Sequence, residues 1–326
     1  MMIGFDDRWI GNHGIGRFAN ELAKRLPIVP LLLRGKPTDP WDCLHLSYSL
    51  YNQTHRHFFS PGYNPPLGKP CSFSFTIHDL IHLDVAEESS VLKRAYYHAI
   101  VRPALFNADV VFTVSNYSKE RLLEWSGIAE SRIVVVGNGV STGFGADGER
   151  IINHTPYLLY VGNQKPHKNV ERLVRAFAVS QLSRTMELWL TGNFSNSVMA
   201  TICELGMSSK VKALGFVPES VLPAYYRGAI AVVMPSLNEG FGLPLIEAMA
   251  CATPVLSSRA TCLPEIAGDA ALYFDPVNIE EMVSCLDEVQ DDTTRTRLQL
   301  AGLERVKLFS WDIAAEKVNT AIQTVG

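Results

Sequence analysis

AIAVVMPSLNEGFGLPLIEAMA, residues Ala229–Ala250, decides how the chain is read. It opens with an apolar run of strand length, Ala229–Met234, turns through a polar segment with two glycines, and enters a helix near Pro244. Glycine lets backbone approach a ligand closely, and proline suits the first turn of a helix, where an N–H has no partner anyway. A strand feeding a helix through such a turn is the repeating unit of a parallel α/β sheet. Sheets of this kind bind ligands outside the carboxyl ends of their strands.

The same alternation runs outward in both directions. Strands are expected at Met2–Phe5, Ile28–Leu33, Cys43–Ser47, Ser72–His78, Val110–Ser115 and Arg132–Gly137, with helices at Arg17–Leu26, Val91–Phe106 and Ser118–Ser126. Around Gly139–Thr155 the pattern breaks into GVSTGFGADGERIINHT, which reads as an interdomain linker. Alternation then restarts with strands at Tyr157–Val161, Met186–Leu190, Val211–Leu214, Pro254–Ser257 and Ala271–Phe274, and helices at Asn169–Val179, Ile279–Val289 and Thr293–Leu308. The expectation is two Rossmann-like α/β domains, residues 1–145 and 155–305, facing a central cleft, followed by a terminal helical segment, residues 306–326.

Composition narrows the function. At 326 residues, 47% hydrophobic and 19% charged, the chain is long and apolar enough for two cores. A net charge of −4 gives no electrostatic footprint for nucleic acid. The six cysteines contain no C-x-x-C pair, which favours reduced, buried thiols over zinc or redox chemistry. No apolar run approaches the roughly 18–20 residues that cross a bilayer, and the first residues lack a signal-peptide pattern. A cytoplasmic protein is expected.

Four constellations carry candidate chemistry. In the opening stretch, Glu239 lies in a loop with no helix dipole to satisfy it, and Glu247 lies in what reads as the first helical turn. The amides of Gly240, Phe241, Gly242 and Leu243 are placed to cradle an oxyanion. In YVGNQKPHKN (Tyr160–Asn169), Asn163, Lys165 and Lys168 precede a helix start, where cations are disfavoured unless an anion is present. In TIHDL (Thr76–Leu80), His78 ends an apolar strand and faces a ligand crevice. In HGIGRFA (His13–Ala19), Gly14 and Gly16 open a helix in a G-x-G-x-x-A pattern. That pattern raises an NADP reading. Too many residues separate Phe5 from the first glycine, and no acidic residue closes the second strand, although Arg34 would suit a 2′-phosphate.

Taken together, EGFGLPLIE (Glu239–Glu247), GIGR (Gly14–Arg17), TIHDL, TVSNYSKERL (Thr113–Leu122), YVGNQKPHKN, LGFVP (Leu214–Pro218) and LPEIAGDAALYFDP (Leu263–Pro276) resemble the retaining glycosyltransferases of family 4, of GT-B fold. The resemblance spans nearly the whole chain. It implies a nucleotide-sugar donor held by the second domain and a glycan or lipid-linked acceptor chosen by the first, with the terminal helix crossing back onto the first domain. It also implies roles. Gly14 and Gly16 let a helix start approach the donor diphosphate or the acceptor, and His78 lies near the transferred sugar. Lys168 pairs with the diphosphate, Glu239 holds sugar hydroxyls, and Glu247 holds ribose hydroxyls. Asn163 stands where many members carry arginine, so either Lys165 or Arg17 substitutes for that phosphate contact or the diphosphate is held less tightly.

No D-x-D occurs in the chain, so no metal or other cofactor is expected, and protein cations and amides stabilise the leaving group. The style of the motifs is similar to bacterial mannosyltransferases of surface-polysaccharide assembly, which points to GDP-mannose. A sugar-nucleotide 2-epimerase of the same fold is the alternative. If the acceptor is lipid-linked, weak contact with the inner face of the cytoplasmic membrane follows. Tyr51–Pro70 is expected to make it, through Phe58, Phe59 and Tyr63 with His55, Arg56, His57 and Lys69.

Overall fold

The strands are short and apolar, and each pairs in parallel with its neighbours. In the computed structural model, which describes residues 2–39, 41–51 and 57–325, six strands form the first sheet: β1 (Ile3–Phe5), β2 (Ile28–Pro30), β3 (Phe58–Ser60), β4 (Phe73–Thr76), β5 (Val110–Thr113) and β6 (Ile133–Val135). Their order is β2-β1-β3-β4-β5-β6. The second sheet contains β7 (Tyr157–Tyr160), β8 (Glu187–Leu190), β9 (Val211–Ala213), β10 (Ala231–Met234), β11 (Val255–Ser258) and β12 (Ala271–Phe274), in the order β12-β11-β10-β7-β8-β9. Parallel strands need helical crossovers that cover both faces, so their side chains are predominantly apolar. Phe73, Phe75, Val111 and Phe112 are fully buried in one sheet, and Leu158, Leu159, Leu188 and Leu190 in the other.

Each order reverses once, between β1 and β3 in the first sheet and between β7 and β10 in the second. At a reversal, consecutive loops leave in opposite directions and open a crevice at the carboxyl ends of the strands. The loops after β7 and β10 contain Lys168 and Glu239.

The chain divides into two compact units, Met1–Gly139 with Ser310–Gly326, and Val140–Phe309. The first boundary therefore falls before residue 145. A Cβ on Gly139 would lie 2.1 Å from the Trp311 backbone nitrogen, so the first unit is sealed at that glycine. The segment read as a linker is fastened to the second unit instead, where Arg227 donates to the carbonyls of Gly145 and Glu149. The terminal helix, Trp311–Val325, buries Trp311, Ala314, Ala315, Val318 and Ile322 within the first unit, while Ile313 turns outward. Arg25 pairs with Asp312 at 2.6 Å, and the rings of Phe18 and Trp311 meet edge-on.

Two expectations fail in the first unit. Cys43–Ser47 is helical, part of Asp42–Tyr51. Its alternating L-H-L-S-Y imitates a strand, yet Cys43, Leu46 and Leu50 sit at i, i+3 and i+7 and bury one helical face. Phe58 and Phe59 of Tyr51–Pro70, expected at a membrane, instead form β3 and are completely buried. Tyr63 is half-buried against Trp9, and Lys69 is paired with Asp109; His55 and Arg56 lie outside the described residues. A polar run before it and Pro61-Gly62 directly after it had concealed a strand of three residues.

His57 is also buried. Its ring nitrogens lie 2.8 and 2.9 Å from the hydroxyls of Ser72 and Ser74, and burial pushes its pKa from about 6.5 down to about 4. Burial does the same to His78, again to about 4. Between those two pH values the unfolded chain takes up protons that the folded chain refuses. Stability is accordingly expected to fall as pH drops through 6.5 toward 4. Denaturant midpoints across that window check this, and a flat profile contradicts imidazoles held neutral by the fold.

Candidate functional site

Lys168 ends a single 3-10 turn, Pro166–Lys168, that follows β7. The next residue, Asn169, takes the left-handed conformation at φ 60°, which asparagine tolerates better than most. Its side-chain amide donates to the carbonyls of Pro235 (2.9 Å) and Pro276 (2.8 Å), bolting the turn to the ends of β10 and β12. The His167 carbonyl accepts from the Leu237 N–H at 2.7 Å. These bonds hold the Lys168 ammonium 2.6 Å from Glu239 Oε1.

Glu239 is held from every side. Its Oε1 also accepts from the Ser236 hydroxyl (2.7 Å), its N–H donates to Thr261 Oγ1 (3.1 Å), and its carbonyl accepts from the Cys262 thiol (3.2 Å). Lys168 and Glu239 retain 18% and 9% of their side-chain exposure, so the pair is largely shielded yet reachable. The sequence placed an anion beside Lys168. The anion facing it is the carboxylate of Glu239.

Beyond Glu239 the chain turns at Gly242, with φ 94° and ψ 55°, into the helix Leu243–Ala250. The left-handed backbone there favours glycine, and a Cβ would also press on Leu263 Cδ2 at 2.8 Å. No side chain caps this helix, and Pro244 has no N–H to give. The Leu245 N–H donates to the Gly242 carbonyl at 3.0 Å, and the helix start at Leu243 is its positive end.

Glu247 departs from its expected setting. It is the fifth residue of that helix, past the first turn, and 2% exposed, so the helix dipole does not account for it. Its Oε2 accepts from the hydroxyl of Tyr226 at 2.7 Å. Tyr226 belongs to the helix Leu222–Gly228 and was missed by sequence reasoning, since no local pattern links it to Glu247.

The other candidates separate. Asn163 and Lys165 lie exposed in the loop after β7; Asn163 Oδ1 accepts from the Lys165 N–H, and its carbonyl accepts from the Tyr160 hydroxyl. Lys165 lines a cavity of about 400 Å³ with Gln164, Asn169, Arg172 and Leu237, to which neither Lys168 nor Glu239 contributes.

In the first unit, His13 caps the helix Gly14–Ala23 by accepting the Gly16 N–H at 3.0 Å. A Cβ on Gly16 would fall 2.3 Å from the Gly11 carbonyl oxygen. That glycine is thus explained by its own loop, and Gly14 has open space around it. His78 follows β4, partly exposed, with its ring edge-on to Phe18 at 4.8 Å. Its Nε2 lies 2.9 Å from the Pro61 carbonyl, which can only accept. The neutral ring therefore carries its proton on Nε2 and offers Nδ1 as an acceptor.

Among the described residues no group of three or more His, Cys, Asp or Glu is arranged to hold a metal ion, and no helix is long and apolar enough to cross a membrane. None of the six cysteines is in a disulfide; Cys43, Cys251, Cys262 and Cys285 are buried, whereas Cys203 is exposed.

Two parallel six-stranded sheets with a glycine-turned helix beside an ordered Lys–Glu pair define a GT-B protein, and comparison with known proteins assigns its family. The family model described as Glycosyl transferases group 1 matches residues 147–303, and Glycosyltransferase Family 4 matches residues 44–144. The chain belongs to the family 4 glycosyltransferases of GT-B fold. It is 31% identical over 252 residues to O-antigen chain mannosyltransferase B of Escherichia coli, covering 73% of this chain and 66% of that one. A serotype-specific mannosyltransferase WbdA, also of Escherichia coli, is 27% identical over 63% of this chain but only 27% of its own length. Among solved structures, Anabaena Alr3699/HepE in complex with UDP and glucose superposes with a TM-score of 0.79 at 16% identity, covering 99% of this chain and 100% of that one. Sucrose-phosphate synthase from Thermosynechococcus elongatus gives 0.78 at 18% identity, covering 99% and 98%. At such identities these two share the fold.

Proposed function

We propose that the protein transfers a mannosyl group, with retention, from GDP-mannose to a glycan or lipid-linked oligosaccharide acceptor during surface-polysaccharide assembly. The observation that carries the reading is the Lys168–Glu239 pair at the sheet reversal, beside the uncapped Leu243–Ala250 helix. The names of the O-antigen relatives support mannose and a polysaccharide product. They lend nothing to the epimerase or NADP alternatives.

The chemistry follows from donor counting. An ammonium has three N–H groups, and Lys168 gives one to Glu239, leaving two for diphosphate oxygens. Charge that builds on the leaving phosphate is met by this cation and by the helix amides near Gly240, Phe241, Gly242 and Leu243. Glu239 Oε1 is already engaged by Lys168 and Ser236, so Oε2 is the oxygen for sugar hydroxyls. The acceptor hydroxyl attacks the anomeric carbon on the face the diphosphate leaves, and its proton passes to the leaving phosphate. His78, neutral at working pH, accepts from a sugar hydroxyl at Nδ1. Glu247 holds the ribose. Gly14 and Asn163 keep no separate task, and Lys165 remains available to an outer phosphate.

Tyr226 orients Glu247, so Tyr226→Phe is expected to raise the donor KM severalfold with kcat little changed; steady-state kinetics reads the split. Activity is also expected to survive EDTA, because protein cations neutralise the leaving group. Loss in chelator with rescue by manganese contradicts that. The reading as a whole is tested by incubating the protein with GDP-mannose, with and without acceptor glycan. Acceptor-dependent release of GDP is expected, and a protein that releases none from any nucleotide sugar overturns it.

A further inference from the structure

The second unit contains a cavity that the proposed reaction leaves unused. It lies where the loop after β7 enters the helix Val170–Val179, and it measures about 400 Å³. Gln164, Lys165 and Arg172 line it together with Val198, Leu237 and Ile279, whereas Lys168 and Glu239 do not. Ligand pockets run from about 300 to 1,000 Å³, so a cavity at the low end suits one compact molecule better than a nucleotide sugar.

Two of its polar side chains are only partly engaged. Gln164 accepts the Ser195 N–H through Oε1 at 2.8 Å, which fixes the amide, yet its Nε2 is buried with no hydrogen-bond partner. A buried donor without an acceptor is costly, and native structures hold few of them. Arg172 is pinned on one side. Its Nη1 donates to Asn169 Oδ1 and to the Pro276 carbonyl, while Nε and Nη2 make no hydrogen bond among the described residues. Those two nitrogens form one edge of the guanidinium, a pair of parallel donors steadied by the anchored Nη1. Arg175 also reaches the cavity but offers no such edge, because its Nη1 and Nη2 donate to Glu204 at 3.0 and 2.8 Å. Among the described residues Glu171 is the one carboxylate lining the cavity. It lies in the first turn of Val170–Val179, where the helix dipole offsets its charge.

These donors call for more than the two oxygens of a carboxylate. The Arg172 edge takes two, Gln164 Nε2 takes a third, and Lys165 adds a second cation. A phosphoryl group supplies three oxygens. Val198, Leu237 and Ile279 then leave an apolar wall for the C–H face of a small ring. We propose that this cavity is a second ligand site, separate from the Lys168–Glu239 pair, and that it takes a phosphorylated monosaccharide with its phosphoryl oxygens on Arg172 and Gln164. The inference goes beyond the transfer reaction and is independent of which sugar is transferred.

Isothermal calorimetry of the full chain with glucose 6-phosphate tests it, with inorganic phosphate, glucose and glucuronate as comparisons. Wild type is expected to bind glucose 6-phosphate, inorganic phosphate more weakly, and glucose not measurably. Glucuronate, which brings a carboxylate to the same ring, should bind about tenfold more weakly. Gln164→Glu keeps an acceptor for Ser195 but turns the buried donor into a carboxylate, and is expected to lower the affinity for glucose 6-phosphate by about tenfold or more. Arg172→Lys keeps the charge and loses the paired edge, again at a cost of about tenfold. Lys168→Met should bind glucose 6-phosphate like wild type. Far-UV circular dichroism verifies that each variant is folded. Wild type that binds no glucose 6-phosphate, Gln164 and Arg172 variants that bind it normally, or glucuronate held as tightly, each overturns the proposal. Binding lost in Lys168→Met but kept in Gln164→Glu would move the ligand to the donor site, and overturns it equally.

Discussion

Glu239→Gln is expected to lower kcat roughly a thousandfold, the scale of losing one preorganised charge from a reaction centre. Glutamine is the informative replacement. Alanine would leave the Lys168 ammonium, 18% exposed, without any acceptor at position 239, and an unsatisfied shielded charge destabilises the fold by itself. Glutamine fills the same volume and can still accept from Ser236. What disappears is the negative charge that fixes Lys168 and, in the proposed reaction, holds the sugar. The melting temperature should therefore move little while turnover collapses. Parallel thermal melts and steady-state kinetics check this, and a variant with near-normal kcat makes the pair a structural staple.

Lys168→Met should weaken nucleoside diphosphate by about 2–3 kcal/mol, the range for a hydrogen bond to a charged group, and leave the corresponding nucleoside nearly unaffected. The comparison isolates the ionic contribution, because both ligands share base and ribose. Methionine preserves most of the aliphatic stem packed in the 3-10 turn. Isothermal calorimetry of the two ligands against wild type and variant gives the difference directly. Equal losses for both would remove Lys168 from the diphosphate.

The second unit was more legible than the first, for physical reasons. Its strands are bounded by glycine and proline turns and read as continuous apolar runs, so Tyr157–Tyr160 and Ala231–Met234 were found nearly to the residue. Lys168 and Glu239 were visible because each sits one loop after such a strand, and the parallel order brings those loops together. Their pairing to each other was not visible. It depends on Asn169 reaching Pro235 and Pro276, contacts spanning 66 and 107 residues. Tyr226 was hidden likewise, because a tyrosine in an apolar helix looks like core until its hydroxyl partner is known. In the first unit, β3 has three residues and borrows its burial from β1 and β4, leaving no local signal. The Asp42–Tyr51 helix misled through alternation of the wrong period.

A crystal structure of the protein soaked with GDP-mannose, or with GDP and a non-hydrolysable mannosyl analogue, decides the donor site directly. Diphosphate oxygens are predicted within hydrogen-bonding distance of Lys168 Nζ and the amides at the start of the Leu243–Ala250 helix. The ribose should lie against Glu247 and the sugar against Glu239. Nucleotide bound at the Gly14–Gly16 helix start, with the Lys168–Glu239 pair untouched, would contradict it.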